Sequence, residues 1–204
     1  MPSPQPHRIA LFGGSFDPVH AGHLAIADAA VQESALDRVI FLPAAQSPHK
    51  IDRPSAASAA DRLAMLRLAT ADRGWADVSD WELGRPPPSW SWHAVAHFRQ
   101  QFPESELYWL LGADQWATLP DWANAEYLRE NLIFLIFPRP PAPQPKPREG
   151  WRSQHLTTQH LANSTAIRAA LKAADASAWQ HFLPPSVATY IENNALYQSR
   201  PDAL

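Results

Sequence analysis

Four short apolar runs constrain this chain more than any other feature. They are Arg8–Phe12 (RIALF), Arg38–Pro43 (RVIFLP), Glu106–Gly112 (ELYWLLG) and Asn131–Phe137 (NLIFLIF). Each is apolar almost throughout, not at every second position. A strand of that kind is buried on both faces, which is the habit of parallel sheets. Each run stops at Gly or Pro: Gly13-Gly14, Pro43, Gly112 and Pro138. Helix-like stretches alternate with them: Gly22–Leu36, Ser58–Asp72, Trp90–Phe102, Asp121–Arg129, Ser164–Ala173 and Ser186–Asn193. In the second of these, Ser58 stands three residues before Asp61 as a cap, and Leu63 and Leu66 share a face. Weaker strands are expected at Asp77–Trp81 and near His155–Thr158. The alternation predicts an α/β fold, a parallel sheet with helices on both faces. Such sheets bind ligands beyond the C-terminal ends of their strands, so the residues there are the candidates for chemistry.

The chain has 204 residues, 46% of them hydrophobic, which is enough for one core-bearing domain over residues 1–204. The 21 prolines are clustered. Pro2, Pro4 and Pro6 predict a flexible leader over residues 1–7, Pro86–Pro88 a rigid loop, and Pro138–Pro147 an extended proline-rich loop within residues 138–150. The absence of Cys excludes a disulfide scaffold, a Cys-ligated zinc site and a thiol nucleophile, and fits a cytoplasmic location. Leu132–Phe137 is far short of the ~20 residues that span a bilayer, and no secretory signal pattern is visible, so no membrane is expected. The net charge of −3 gives no global basic field for nucleic acid. Any anionic ligand must be held by local cations and backbone amides.

The most informative segment is Gly13-Gly14-Ser15-Phe16-Asp17-Pro18-Val19-His20-Ala21-Gly22-His23-Leu24, which follows a strand and opens a helix. Gly13 and Gly14 allow a tight turn and a close approach to ligand. His20 and His23, three apart, share a face at a helix start, where free amides and the dipole attract phosphate. Alone, an H-x-x-H pair is equally a capping or packing device. It is a poor metal site, because no suitable third ligand is nearby; no metal-binding residues are expected. Near the C-terminus, Asn163 or Ser164 can cap a helix whose first turn carries Thr165 and whose next turn carries Arg168, a guanidinium able to bridge phosphate oxygens.

Together these segments resemble the nucleotidyltransferase superfamily, whose H-x-G-H element contacts nucleoside triphosphate and whose S-S-T/S-x-I-R element binds the β and γ phosphates. Asn163 replaces the usual first Ser. The resemblance runs from about Ile9 to Tyr197 and is nearest to the nicotinate-nucleotide adenylyltransferases. Ser47-Pro48-His49-Lys50, Gly112-Ala113-Asp114 with Leu119 and Trp122, Phe137-Pro138-Arg139-Pro140, and the tail Leu183-Pro184-Pro185-Ser186-Val187 with Tyr190-Ile191 and Leu196-Tyr197 carry it. It implies a Rossmann-like doubly wound parallel sheet with a small helical part over residues 164–204. It also implies adenylyl transfer from ATP to nicotinate mononucleotide.

By resemblance, Gly13, Gly14, Ser15, Phe16, His20, His23, Gly112, Asp114, Arg139, Ser164, Thr165 and Arg168 bind ATP. His20, His23, Lys50 and Arg168 act at the reacting centre. Lys50, Ser89, Trp90, Ser91 and Trp122 bind the mononucleotide, with Trp122 stacking on the pyridine ring. Mg²⁺ arrives on the ATP phosphates. The remaining histidines, His7, His93, His97, His155, His160 and His181, are assigned to surface or packing. One region departs from the family pattern. Glu82-Leu83-Gly84-Arg85 is followed by Pro86-Pro87-Pro88-Ser89-Trp90-Ser91, with Trp and Ser where relatives carry Tyr and Thr. That keeps open nicotinamide mononucleotide or another phosphate monoester as acceptor. A non-catalytic nucleotide-binding module that docks a partner through Pro138–Pro147 is the reading from a different class.

Overall fold

The computed structural model describes residues 7–48, 52, 54–139, 145–158, 160 and 162–198. Six parallel strands form one sheet in the order β3-β2-β1-β4-β5-β6. They are β1 (Arg8–Gly14), β2 (Arg38–Pro43), β3 (Ala76–Val78), β4 (Glu106–Gly112), β5 (Ile133–Phe137) and β6 (Ser153–His155). The helices are α1 (Ala21–Ser34), α2 (Ala59–Thr70), α3 (Ser91–Gln101), α4 (Ala113–Thr118), α5 (Ala125–Asn131), α6 (Ser164–Lys172) and α7 (Pro185–Asn193). The direction of winding reverses between β1 and β4, which are adjacent and in register from Arg8–Glu106 to Leu11–Trp109. That junction is where a sheet of this order opens a ligand crevice.

The continuous apolar runs are explained by the two cores they feed. Ala10, Phe12, Phe41, Leu110 and Leu135 face one cluster with residues of α1, α2, α6 and α7. Leu11, Ile40, Leu42, Leu111 and Ile136 face the other, with residues of α3, α4 and α5. Alternate side chains along a strand point to opposite faces, so a strand with a core on each side needs no polar positions.

Several expectations are corrected in detail. The buried stripe of α2 is Arg62, Met65, Leu66, Ala69 and Thr70, so Leu63 lies beside it while Leu66 is in it. Ser58 does cap α2, accepting from the Asp61 amide at 3.1 Å. A single helix over Asp121–Arg129 does not form. Instead α4 starts directly at the end of β4, a short turn covers Leu119–Asp121, and α5 begins at Ala125. Pro120 lacks an amide hydrogen and Asn124 takes a left-handed conformation (φ 55°), which together divide the segment. The edge strands are shorter than expected. β3 ends at Val78 because the chain turns away, the Leu83 amide donating to Asp80 O at 2.9 Å. β6 lies at Ser153–His155, ahead of the expected His155–Thr158.

Candidate active site

The C-terminal ends of β1 and β4 bring two elements together. β1 ends in Gly13 and Gly14, which remain in the ladder opposite Leu42 and Pro43. The expected turn is not made by the glycines. It is made by Phe16, a buried residue in the left-handed region (φ 47°). What the glycines supply is space. A Cβ on Gly13 would stand 3.0 Å from the Trp109 ring, and one on Gly14 3.0 Å from the Phe16 ring. At the end of β4, a Cβ on Gly112 would lie 2.5 Å from Asp114 Oδ1 and 3.3 Å from Arg139 Cδ.

The chain then passes through Asp17 and Pro18 to His20, the N-cap of α1. The His20 and His23 rings stack with centroids 3.7 Å apart. The His20 amide donates to His23 Nδ1 at 3.2 Å. A nitrogen that accepts cannot carry the proton, so this bond puts the His23 proton on Nε2. His20 is 5% exposed, and its Nδ1 is buried without a hydrogen-bond partner among the described residues. Burial lowers its pKa from 6.5 to about 3, and the positive neighbourhood of His160 and Arg139 adds to this. His20 is therefore a neutral donor at physiological pH, not a cation.

The second helix N-terminus docks onto the same loop. Asn163 caps α6, its Oδ1 accepting from the Ala166 amide at 2.8 Å. Ser164 is thereby released from capping, and its hydroxyl donates to Pro18 O at 3.0 Å. Arg168 donates to Asp17 O at 2.6 Å and, at 3.4 Å, to Thr165 Oγ1. The Asp17 carboxylate accepts from the Ala56 and Ala57 amides and from the Tyr197 hydroxyl at 2.7, 3.1 and 2.8 Å. Burial and that carboxylate push the Tyr197 hydroxyl far above its ordinary pKa. Beneath the loop, the buried Arg62 donates to Ser15 O at 2.8 Å, and burial lowers its pKa. The N-termini of α1 and α6 thus meet around one loop, with His20, His23, Thr165 and Arg168 beside them.

The rest of the predicted site is distributed around this centre. Asp114 and Arg139 pair at 3.4 Å across the ends of β4 and β5, both about half exposed. Ser89, Trp90 and Ser91 stand at the start of α3, and the Ser89 hydroxyl accepts from the Ala45 amide at 3.0 Å. Trp122 is half-buried in the turn between α4 and α5, packed against the cluster on that face. Lys50 lies outside the described residues, as do Pro140–Gln144.

Three residues near this centre or the Ser89–Ser91 segment were not singled out in the sequence for where they lie. His160, assigned to surface or packing, packs here beside His20: the Nδ1 of each lies about 3 Å from the point where a Gly22 Cβ would be. Arg62 sits among helix positions that read as core. Glu82 was only part of a departing motif, yet it is 5% exposed. No periodicity separates such residues from packing; only the buried-charge pattern of the folded chain does.

A parallel sheet with this crevice and these paired helix N-termini is the framework of a nucleotide-handling α/β protein. Residues 11–170 match the cytidylyltransferase-like family model, and the chain belongs to that family. Within it, the chain belongs with the nicotinate-nucleotide adenylyltransferases. A Neisseria meningitidis protein named "Probable nicotinate-nucleotide adenylyltransferase" is 39% identical, the alignment covering 94% of this chain and 98% of that one. A Synechococcus protein of the same name is 35% identical over 96% and 97% of the two chains. The fold is similar to that of Plasmodium falciparum nicotinic acid mononucleotide adenylyltransferase complexed with NaAD, with a TM-score of 0.77 at 18% identity over 94% of this chain and 97% of that one. A second structure of that protein, complexed with APC, gives a TM-score of 0.74 at 19% identity, again over 94% and 97%.

Proposed function

We propose that this chain transfers the adenylyl group of ATP to nicotinate mononucleotide, giving nicotinate adenine dinucleotide and pyrophosphate in NAD biosynthesis. The observation that carries the reading is the meeting of the α1 and α6 N-termini at the β1–β4 crevice, with His20, His23 and Arg168 at the mouth. The names of the relatives and the NaAD and APC complexes of the Plasmodium protein support it.

In this reaction the phosphate of the mononucleotide attacks the α-phosphorus of ATP, and the bond to the bridging oxygen of pyrophosphate breaks. The nucleophile is already anionic near neutral pH, so no general base is required. The protein must hold two polyanions in line and stabilise charge as it moves to the leaving group. Neutral His20 and the Nε2–H of His23 serve as donors to the reacting phosphates. The amides of the α6 first turn, with Ser164, Thr165 and Arg168, receive the leaving pyrophosphate. Gly13, Gly14, Ser15 and Phe16 let backbone approach the nucleotide. Gly112 leaves room for Asp114 to accept from a ribose hydroxyl, beside Arg139. Lys50, in the Ser47-Pro48-His49-Lys50 string, is assigned to the phosphates. Trp122 and the Ser89–Ser91 segment receive the pyridine ring and its carboxylate.

Mg²⁺ enters as the ATP complex, where it neutralises phosphate charge. Among the described residues no group of three or more His, Asp or Glu is placed to hold a metal ion. The donors at the crevice are mainly N–H groups, which suit phosphate oxygens rather than a cation. We assign the cation to phosphate oxygens and water, the habit of Mg²⁺ at nucleotide sites. No described helix is long and apolar enough to cross a membrane, and the composition has no Cys. The proposed reaction is assigned to the cytoplasm, on small-molecule substrates.

The Trp90–Ser91 departure favours nicotinamide mononucleotide as the second reading. Against a docking module, the described ends of the proline-rich loop lie on this fold itself, Arg139 against Asp114 and Lys146 O accepting from Trp116 Nε1 at 3.0 Å. The test is incubation with ATP, Mg²⁺ and nicotinate mononucleotide, followed by quantification of dinucleotide and pyrophosphate. Equimolar formation of both is expected. Formation of neither overturns the reading.

A further inference from the structure

Beyond α7 lies a tyrosine that the reaction itself does not require. The backbone enters the left-handed region at Ala195 (φ 48°) and again at Tyr197 (φ 63°). That region is costly for a bulky residue and persists where the surroundings hold it. Tyr197 is held by its hydroxyl, which donates to Asp17 Oδ1 at 2.8 Å. The same buried carboxylate accepts from the Ala56 and Ala57 amides at 2.7 and 3.1 Å. Asp17 thus ties the β1–α1 loop to the chain entering α2 and to the segment after α7. On its other side stands the second helix N-terminus. Arg168 Nη1 donates to Asp17 O at 2.6 Å and lies 3.9 Å from Asp17 Oδ2. The Arg168 guanidinium therefore takes its place from Asp17, through carbonyl and carboxylate together.

We propose that Tyr197 is a positioning residue for the leaving pyrophosphate: its hydroxyl fixes Asp17, and Asp17 presets the Arg168 guanidinium. This rests on the reading of Arg168 as a pyrophosphate contact. A guanidinium held in place beforehand loses less freedom when phosphate arrives, so the gain belongs to ATP and pyrophosphate and not to the mononucleotide. A second tyrosine near the C-terminus supplies the contrast. The Tyr190 hydroxyl, on α7, donates to Asp61 Oδ1 at 3.0 Å. That bond is of the same kind, a tyrosine hydroxyl on a carboxylate across the same face of the sheet. Asp61, however, is tied to Ser58 within the start of α2. Losing the Tyr190 hydroxyl loosens the C-terminal helix; losing the Tyr197 hydroxyl loosens the loop on which Arg168 is seated.

The experiment is calorimetric titration with inorganic pyrophosphate, together with initial rates varying each substrate in turn. The proteins are wild type, Tyr197→Phe, Asp17→Asn, Tyr190→Phe, Arg168→Ala and the Tyr197→Phe, Arg168→Ala double variant, each checked for fold by circular dichroism. Tyr197→Phe keeps the ring and its packing. It is expected to weaken pyrophosphate binding and raise the KM for ATP on the order of tenfold, the weight of one hydrogen bond to a charged group. The KM for nicotinate mononucleotide is retained. Asp17→Asn, which removes the charge that Tyr197 fixes, is expected to show the same loss, and Tyr190→Phe none. In the Arg168→Ala background, Tyr197→Phe is expected to add nothing, whereas a merely structural role gives additive losses. Pyrophosphate affinity unchanged in Tyr197→Phe or Asp17→Asn, an equal loss in Tyr190→Phe, or a full Tyr197→Phe effect without Arg168 overturns the proposal. Wild type that binds pyrophosphate but forms no dinucleotide refutes the adenylyl-transfer reading instead, and the pyrophosphate affinities then decide the proposal on their own.

Discussion

Acidification from pH 8 to pH 5 is expected to cost the protein about 2 kcal/mol of stability through His20 alone. The His20 ring is 5% exposed and its pKa falls from 6.5 to about 3, chiefly through burial. In the unfolded chain the imidazole takes its proton near pH 6.5. Between pH 6.5 and pH 3 the unfolded state therefore binds more protons, and stability falls with pH by about 1.4 kcal/mol per unit. The contribution is complete above about pH 6.5 and is lost progressively toward pH 3. At pH 5 the loss spans roughly one and a half units, hence about 2 kcal/mol, or roughly 4–8 °C in Tm for a chain of this size. The comparison is His20→Asn, which retains a hydrogen-bonding side chain but does not titrate. Glu82 works in the opposite direction. Its pKa is raised to about 7, so the native state gains its proton first and acidification stabilises through it. That contribution is common to both proteins and cancels. Scanning calorimetry at pH 8, 6.5 and 5 should show a larger acid-induced fall in Tm for wild type, by those 4–8 °C. An equal fall in the two proteins would refute the claim that the fold holds His20 neutral.

Other perturbations follow from the same geometry. His23→Ala removes a donor at the reacting phosphates and is expected to lower kcat by about 10²–10³ with an unchanged circular dichroism spectrum; normal turnover would remove His23 from the mechanism. Gly112→Ala places a Cβ 2.5 Å from Asp114 Oδ1 and displaces that carboxylate. Its expected signature is a raised KM for ATP with little change for the mononucleotide, read by initial rates. Tyr197→Phe removes the 2.8 Å bond to Asp17 and is expected to cost about 1–2 kcal/mol in urea unfolding, because the carboxylate it serves is buried.

The framework of this protein is legible in its sequence because burial on two faces leaves a mark. The four apolar runs became β1, β2, β4 and β5, and their Gly and Pro stops are the strand ends at the crevice. The two strings at the crevice were legible, since His20 and Asn163 are the N-caps of α1 and α6, His23 and Ser164 lie in their first turns, and Arg168 follows one turn on. What was not legible depends on contacts distant in sequence. Phe16, not a glycine, takes the left-handed turn, because the surrounding aromatic rings Phe12 and Phe41 hold it there. Arg62 looks like a break in a helix face until Ser15 and Asp17 are brought over it. His160 acquires meaning only against Gly22, and Tyr197 only against Asp17, 180 residues away. The division of the α4–α5 segment was partly visible in Pro120, but the left-handed Asn124 was not.

The acceptor is the point at which the account is most directly exposed. The ratio of kcat/KM for nicotinate mononucleotide to that for nicotinamide mononucleotide, measured with ATP and Mg²⁺ by pyrophosphate release, tests it in one experiment. The account predicts a strong preference for the acid, because it assigns the pyridine carboxylate to the Ser89–Ser91 segment at the start of α3. Equal or better use of the amide would contradict it.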